Sequence, residues 1–216
     1  MKTADTPMRS LPEGWPPERC PPERCPWCGS DPLYVAYHDD EWGRPERDPQ
    51  RLFECLILES FQAGLSWITI LRKRAAFRAA FRGFDAARIA TWDEADVASL
   101  LADPGIVRHR GKIAGAIRGA QAFQRIEARE GFSPFLWSFT GGEPIDNRPM
   151  AMADVPARTA QSDAMSKALK TEGFSFVGPT ITYAFMQATG MVNDHLLTCP
   201  ARVATSGPRP PLAFAP

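Results

Sequence analysis

Between two proline-rich ends, apolar residues recur along the chain at helical rather than strand spacing. Asp48-Pro49 reads as an N-cap followed by proline at the first helical position. Leu52, Phe53, Leu56 and Ile57 then line one side of the helix it opens. Gly64 closes that run, and Ser66 caps a second one that lasts to Gly83. Thr91 with Glu94 forms a capping-box pattern before Val97, Leu100 and Leu101. Pro104-Gly105 is a turn, and a long amphipathic stretch runs from about Arg108 to Glu130, where Gly131 stops it. Ser162 opens a further helix closed at Gly173, and Pro179 opens the last, closed at Gly190. No segment sustains apolar–polar alternation. The pattern predicts an all-α chain in which strands are minor at best.

One residue breaks the pattern. With about 100° of turn per residue, Leu52, Leu56 and Ala63 fall on one line, and Glu59 falls on the same line. Gln50, Arg51 and Glu54 occupy the opposite arc. A carboxylate among leucines is costly unless something satisfies it. Three readings fit the sequence: a helix-end acid that reaches solvent near Gly64, a buried acid paired with an arginine, or a carboxylate lining a pocket.

Composition narrows the class. The chain has 216 residues, 44% apolar and 23% charged, which suits one domain or two closely packed subdomains. Many of its 21 prolines crowd the ends. Residues 1–24 are expected to form a disordered tail, 25–199 the folded domain with two packed helical subdomains, and 200–216 a flexible C-terminal tail. The first tail carries a tandem pentapeptide, Pro16–Cys20 and Pro21–Cys25. No run reaches the length of a membrane span, and the N-terminus lacks a signal-peptide pattern. Five cysteines without an export signal point to metal ligation or burial rather than disulfides, and to the cytoplasm. Lysine plus arginine balances aspartate plus glutamate at 25 each. That balance argues against a broadly basic nucleic-acid binder, so any such surface must come from local clustering.

The chain has three histidines: His38, His109 and His195. His195 and Cys199 stand in H-x3-C spacing, which suits two ligands on one helical turn. Cys25 and His38 stand in C-x12-H spacing near the other end. Together they would make a four-ligand set, and four protein ligands fill a tetrahedral zinc and make it structural. Cys28 competes, because Cys25-Pro26-Trp27-Cys28 is also a C-x2-C knuckle. Cys20 competes more weakly, and Cys55 reads as core.

Two further features carry chemistry. The Pro104-Gly105 turn joins two helical patterns, and a helix starting just after Gly105 would aim its free N–H groups and positive dipole end at a phosphate. Arg108, Arg110 and Lys112 add local charge there. The ordinary alternative is a helical hairpin with a solvated basic face, and Arg72-Lys73-Arg74 has the same default. Tyr34, Tyr37 and Trp42 lie in one short segment, and Trp67 follows Glu59 by eight residues. Aromatics are usually core, and Trp15, Trp27, Trp92 and Trp137 are read so. The other four cluster in sequence with the misplaced acid and the candidate ligands.

Four segments carry a resemblance. Asp31-Pro32-Leu33-Tyr34-Val35-Ala36-Tyr37-His38-Asp39-Asp40-Glu41-Trp42-Gly43 resembles the N-terminal signature of the 3-methyladenine DNA glycosylase I family. So do Leu58–Trp67, Gly105–Ile113, and Phe174–Thr180 through Val192–His195, in order and spanning roughly Cys25 to Cys199. The resemblance implies a helix-hairpin-helix DNA glycosylase fold with a structural zinc joining the two ends. It implies zinc ligands Cys25, His38, His195 and Cys199, with Cys25 chosen over Cys28 because it lies six residues before Asp31. It implies Glu59 as the acid that contacts the excised base, and Tyr37 and Trp67 as stacking residues with Tyr34 and Trp42 nearby. Gly64 and Leu65 would approach the gap left by the base, and Gly105, Arg108, Arg110 and Lys112 would meet the DNA backbone. The expected partner is double-stranded DNA carrying alkylated bases, the expected product is free 3-methyladenine, and the expected state is a monomer. No lysine lies beside Glu59 in sequence except Lys73, so a monofunctional enzyme without Schiff-base chemistry is expected. The proline-rich extension and the longer C-terminal tail depart from the family pattern.

Overall fold

The computed structural model describes residues 23–204. The tandem pentapeptide's first copy, Cys20, Trp15 and most of both expected tails lie outside the described residues. Within them the fold is dominated by helices: α1 (Pro32–Asp40), α2 (Pro49–Gln62), α3 (Trp67–Ala80), α4 (Ala86–Ile89), α5 (Glu94–Ala102), α6 (Arg110–Arg129), α7 (Phe132–Trp137), α8 (Ala160–Glu172), α9 (Pro179–Ala188) and α10 (Ala201–Ala204). Two short parallel strands, β1 (Ile145–Asp146) and β2 (Val192–Asn193), pair Ile145 with Val192. They tie the segment after α7 to the segment after α9. No helix among the described residues is long and apolar enough to cross a membrane.

The chain punctuates its helices as expected in most places. Asp48 caps α2 by accepting from the Arg51 N–H, with Pro49 at the first position. Gly173 closes α8 in the left-handed conformation. Three boundaries differ, each because a different side chain supplies the cap. Asp93, not Thr91, caps α5, and Asp96 reaches back to the Asp93 N–H. Thr91 instead donates to the Arg88 carbonyl. Thr159 caps α8 with Ser162 in the return position. The start of α6 lies at Arg110, because the His109 imidazole accepts from the Lys112 N–H at 3.2 Å. The segment after Gly105 is therefore not yet helix, and it sends Ile106 into the core.

Helix α2 is the central member, packed against α3, α6 and α9. Its apolar face and those of α6, α8 and α9 make one large core containing Phe53, Phe61, Phe123, Phe132, Phe174 and Phe185. Close approach is bought with glycine on α6: a Cβ at Gly119 would sit 3.1 Å from Phe174 and 3.2 Å from Ile57. A second, smaller core gathers Cys25, Tyr37, Trp42, Leu71, Ala188, Leu196, Cys199 and Ala201. It joins α1 to the chain that follows α9. Gly190 permits the join, since a Cβ there would lie 2.3 Å from the Arg44 carbonyl carbon.

Candidate active site and metal centre

Between the second core and α9 lies a cavity of about 310 Å³. Its walls include Trp27, Tyr34, Tyr37, Trp42 and Trp67 on one side, and Thr180, Tyr183, Ala184 and Gln187 of α9 on another. Residues 152 and 155–157 close a third side. The rings interlock: Tyr37 and Trp67 lie 5.4 Å apart at 47°, and Trp27 meets Tyr34 edge-on at 5.1 Å. Behind them Arg74 clamps Glu41 with both guanidinium nitrogens, at 2.6 and 2.7 Å, which fixes α3 against the end of α1.

Glu59 projects into this aromatic box. It is 3% exposed, and its Oε2 has no hydrogen-bond partner among the described residues. Neither a path to solvent nor an arginine explains it. Burial without compensation pushes its carboxyl up to about 8. Gln62 Oε1 and Trp67 Nε1 are also buried and unpartnered, and both residues line the same cavity. Buried polar groups are rarely left so, and three around one cavity point to a ligand that completes them. The lining contains aromatic faces and a carboxylate but no lysine or arginine. It suits a flat, cationic or donor-rich molecule.

Beside the cavity, Cys25, His38, His195 and Cys199 converge, all buried, with ligand atoms within 4.8 Å of one another. Cys199 Sγ lies 3.5 Å from both His38 Nε2 and His195 Nδ1, and Cys25 Sγ lies 3.8 Å from His195 Nδ1. A tetrahedral ion with bonds of about 2.3 Å to sulfur and about 2.0 Å to nitrogen has sulfur–nitrogen edges of about 3.5 Å. The remaining ring nitrogens are already engaged. His38 Nδ1 donates to the Asp39 carboxylate at 2.7 Å, and His195 Nε2 donates to the Trp42 carbonyl at 3.1 Å. Those bonds turn the other nitrogen of each ring toward the cluster, the usual support of a ligating histidine. The donor set fits a metal ion. Cys28 lies outside it, with its thiol on the Cys25 carbonyl at 3.2 Å.

The residues expected at a DNA surface are placed unequally. Gly64, with φ of 82°, and Leu65, 41% exposed, form the tip after α2. Arg108 is exposed, and Arg110 pairs with Glu94. The Gly105 carbonyl accepts from Lys73 at 3.1 Å. Lys112 differs most from expectation. Its ammonium is buried and donates to the Phe61 and Ala63 carbonyls at 2.8 and 2.6 Å. A cation at the C-terminal end of α2 is stabilised by the free carbonyls and the helix dipole. Lys112→Met is therefore expected to cost about 1–3 kcal/mol of stability by leaving two carbonyls unsatisfied. Hydrogen exchange should quicken around residues 61–65; unchanged exchange and melting would refute the capping role.

Trp27, Gln62, Tyr183 and Gln187 join the site although sequence reading passed over them or took them as core. Trp27 carries a sequence signal, since it stands between Cys25 and Cys28. Tyr183 and Gln187 share a helix face at i, i+4 spacing, but nothing in that spacing says what they face.

Residues 27–203 match the methyladenine glycosylase family. The chain belongs to that family. As a methyladenine glycosylase it is 52% identical over 174 residues to DNA-3-methyladenine glycosylase 1 of Escherichia coli K12, spanning 80% of this chain and 93% of the relative. It is 47% identical over 179 residues to DNA-3-methyladenine glycosylase of Haemophilus influenzae, spanning 82% and 97%. A crystal structure of 3-methyladenine DNA glycosylase I superposes with a TM-score of 0.81 at 52% identity, covering 82% of this chain and 98% of that one. The Staphylococcus aureus enzyme, solved to show its recognition of 3-methyladenine, superposes equally well at 38% identity, covering 82% and 95%. The helical architecture of this methyladenine glycosylase is thus that of solved members.

Proposed function

We propose that this protein is a monofunctional DNA glycosylase that hydrolyses the N-glycosidic bond of 3-methyladenine in alkylated double-stranded DNA, as a step of base-excision repair. The observation that carries the reading is the unpartnered, buried Glu59 inside an aromatic box, in a chain closely related to enzymes of that name.

The chemistry suits the residues. The target bond is inaccessible inside a duplex, so the nucleotide is turned out into the cavity. Methylation at N3 gives the base a positive charge while it is attached to the sugar, which makes it a good leaving group. Tyr37 and Trp67, with Tyr34 and Trp42 beside them, present ring faces to that charge, an attraction worth about 0.5–2 kcal/mol. Glu59 accepts hydrogen bonds from the base edge and complements the charge. A neutral adenine gains less from both, which gives discrimination. Lysine is absent from the lining, so no amine is placed to form a Schiff base.

Gly64 and Leu65 enter the gap left by the base. The α5–α6 hairpin, with Gly105, Arg108 and Arg110, grips the phosphate backbone in helix-hairpin-helix manner without reading sequence. Lys112 acts from behind by holding the end of α2. One zinc ion is held by Cys25, His38, His195 and Cys199; with four protein ligands it supplies structure and leaves no open position for water. The protein works as a cytoplasmic monomer.

The test incubates the purified protein with methylated DNA and separates the released bases by chromatography. Release of 3-methyladenine, with strands left uncut until base treatment, is expected. DNA binding without base release would replace the enzyme by a lesion-binding protein, and strand cutting by the protein alone would refute the monofunctional assignment.

A further inference from the structure

The α9 wall of the cavity is organised from behind by a carboxylate that never reaches it. Asp194 is 1% exposed and directly follows β2. Its Oδ1 accepts from Asn147 Nδ2 at 2.7 Å. Its Oδ2 accepts from the Tyr183 hydroxyl at 2.6 Å and from Gln187 Nε2 at 2.8 Å. A carboxylate can only accept, so all three partners must donate. That settles the orientation of the Gln187 amide on chemical grounds, where O and N are otherwise interchangeable. The Tyr183 proton is spent on Asp194, and its oxygen accepts from Asn147 at 3.2 Å. Gln187 Oε1 makes no hydrogen bond among the described residues, and Gln187 lines the cavity.

We infer that Gln187 is a specificity residue whose Oε1, held toward the cavity by Asp194, accepts a hydrogen bond from an amine on the bound base and rejects a base with a carbonyl there. This rests on the base-recognition reading above. Glu59 is then not the sole acceptor, and a base that carries an exocyclic amine satisfies two walls at once. A carbonyl in the amine's place sets lone pairs against Oε1 and leaves that acceptor unpaired beneath the bound base, which discriminates more strongly than shape alone. Asp194 is a positioning residue that acts through Gln187. Its neighbour in sequence is the candidate ligand His195, so the metal end and the α9 wall share one anchor.

The experiment measures binding of two free bases to the full chain: 3-methyladenine, and 3-methylhypoxanthine, which carries oxygen where the first carries the amine. The wild type is expected to prefer the amine. In Gln187→Met, which keeps the length and removes the acceptor, the preference should shrink by about tenfold through weaker 3-methyladenine binding, with a lower melting temperature from the lost Nε2 bond to Asp194. Asp194→Asn can donate to Oε1, turn the amide over, and shift the ratio further toward the carbonyl base. Q187M alone decides should D194N not fold. An unchanged ratio in Q187M overturns the inference and leaves the proposed function standing. A wild type that binds neither base overturns the proposed function, and the inference with it.

Discussion

Glu59→Gln should melt higher than the wild type while excising 3-methyladenine more slowly by about a hundredfold or more. Both effects have one cause. The Glu59 carboxyl is pushed up to about 8 by burial, against 4.5 for the ordinary group. An acid whose folded value is raised destabilises the fold as it ionises: the penalty is absent below pH 4.5, grows as pH rises to about 8, and is constant above. At pH 7 that amounts to about 3 kcal/mol, from about 1.4 kcal/mol per unit, of which a neutral amide recovers a part. The difference in melting between variant and wild type should widen from pH 5 to pH 8. Activity should run the other way. The ionised form is the one that complements a cationic base, so kcat/KM should climb with pH toward about 8 and then level, and the climb should vanish in E59Q. Equal melting at all pH values, or activity unaffected by the change, would refute the pocket role.

Removing the metal centre should have the largest effect on stability. With one ion bound at about a thousand times its dissociation constant, the ion adds about 4 kcal/mol to the folded state. For a domain of this size that corresponds to about 10 °C in melting temperature. Cys199→Ala, or prolonged chelation, should release the ion and lower melting by that order. Elemental analysis of the purified wild type should find one zinc per chain. A chain that melts unchanged with its metal removed would refute the structural assignment. The expected pattern of loss is specific. The second core, with Cys25, Tyr37, Trp42, Leu196 and Cys199, should open first, whereas the large core around α2 lacks any ligand. Base binding should therefore fail before the helices melt, because Tyr37 and Trp42 serve both core and cavity.

How far the sequence revealed this arrangement depended on the range of the interactions. Helix α2 was legible because its cap, its proline and its apolar spacing are local, and Glu59 stood out against that spacing alone. The four residues of the Cys/His cluster are visible as two spaced pairs, but the choice of Cys25 over Cys28 comes from family likeness rather than from spacing. The α6 start was misread because the cap is an imidazole rather than a short polar side chain. Lys112 was read as part of an outward basic face because its true partners are carbonyls about fifty residues earlier in the chain, which no local pattern announces. Gln187 and the wall at residues 152–157 were silent for the same reason: their role exists only once α9 has packed against α2.

Cys25 and His195 are 170 positions apart in the chain, yet meet in one cluster. During synthesis the first half of the site therefore emerges long before the second, and Tyr34, Tyr37 and Glu59 must wait for α9 and the residues beyond it. Closing so long a loop is entropically costly and comes late relative to local helix formation. A chain ended before α9 lacks His195 and Cys199 of the cluster, the α9 wall of the cavity, and the α9 part of the large core. On the proposed function, such a chain is expected to bind no base, because the cluster and the α9 wall are both completed by the last residues, which it lacks.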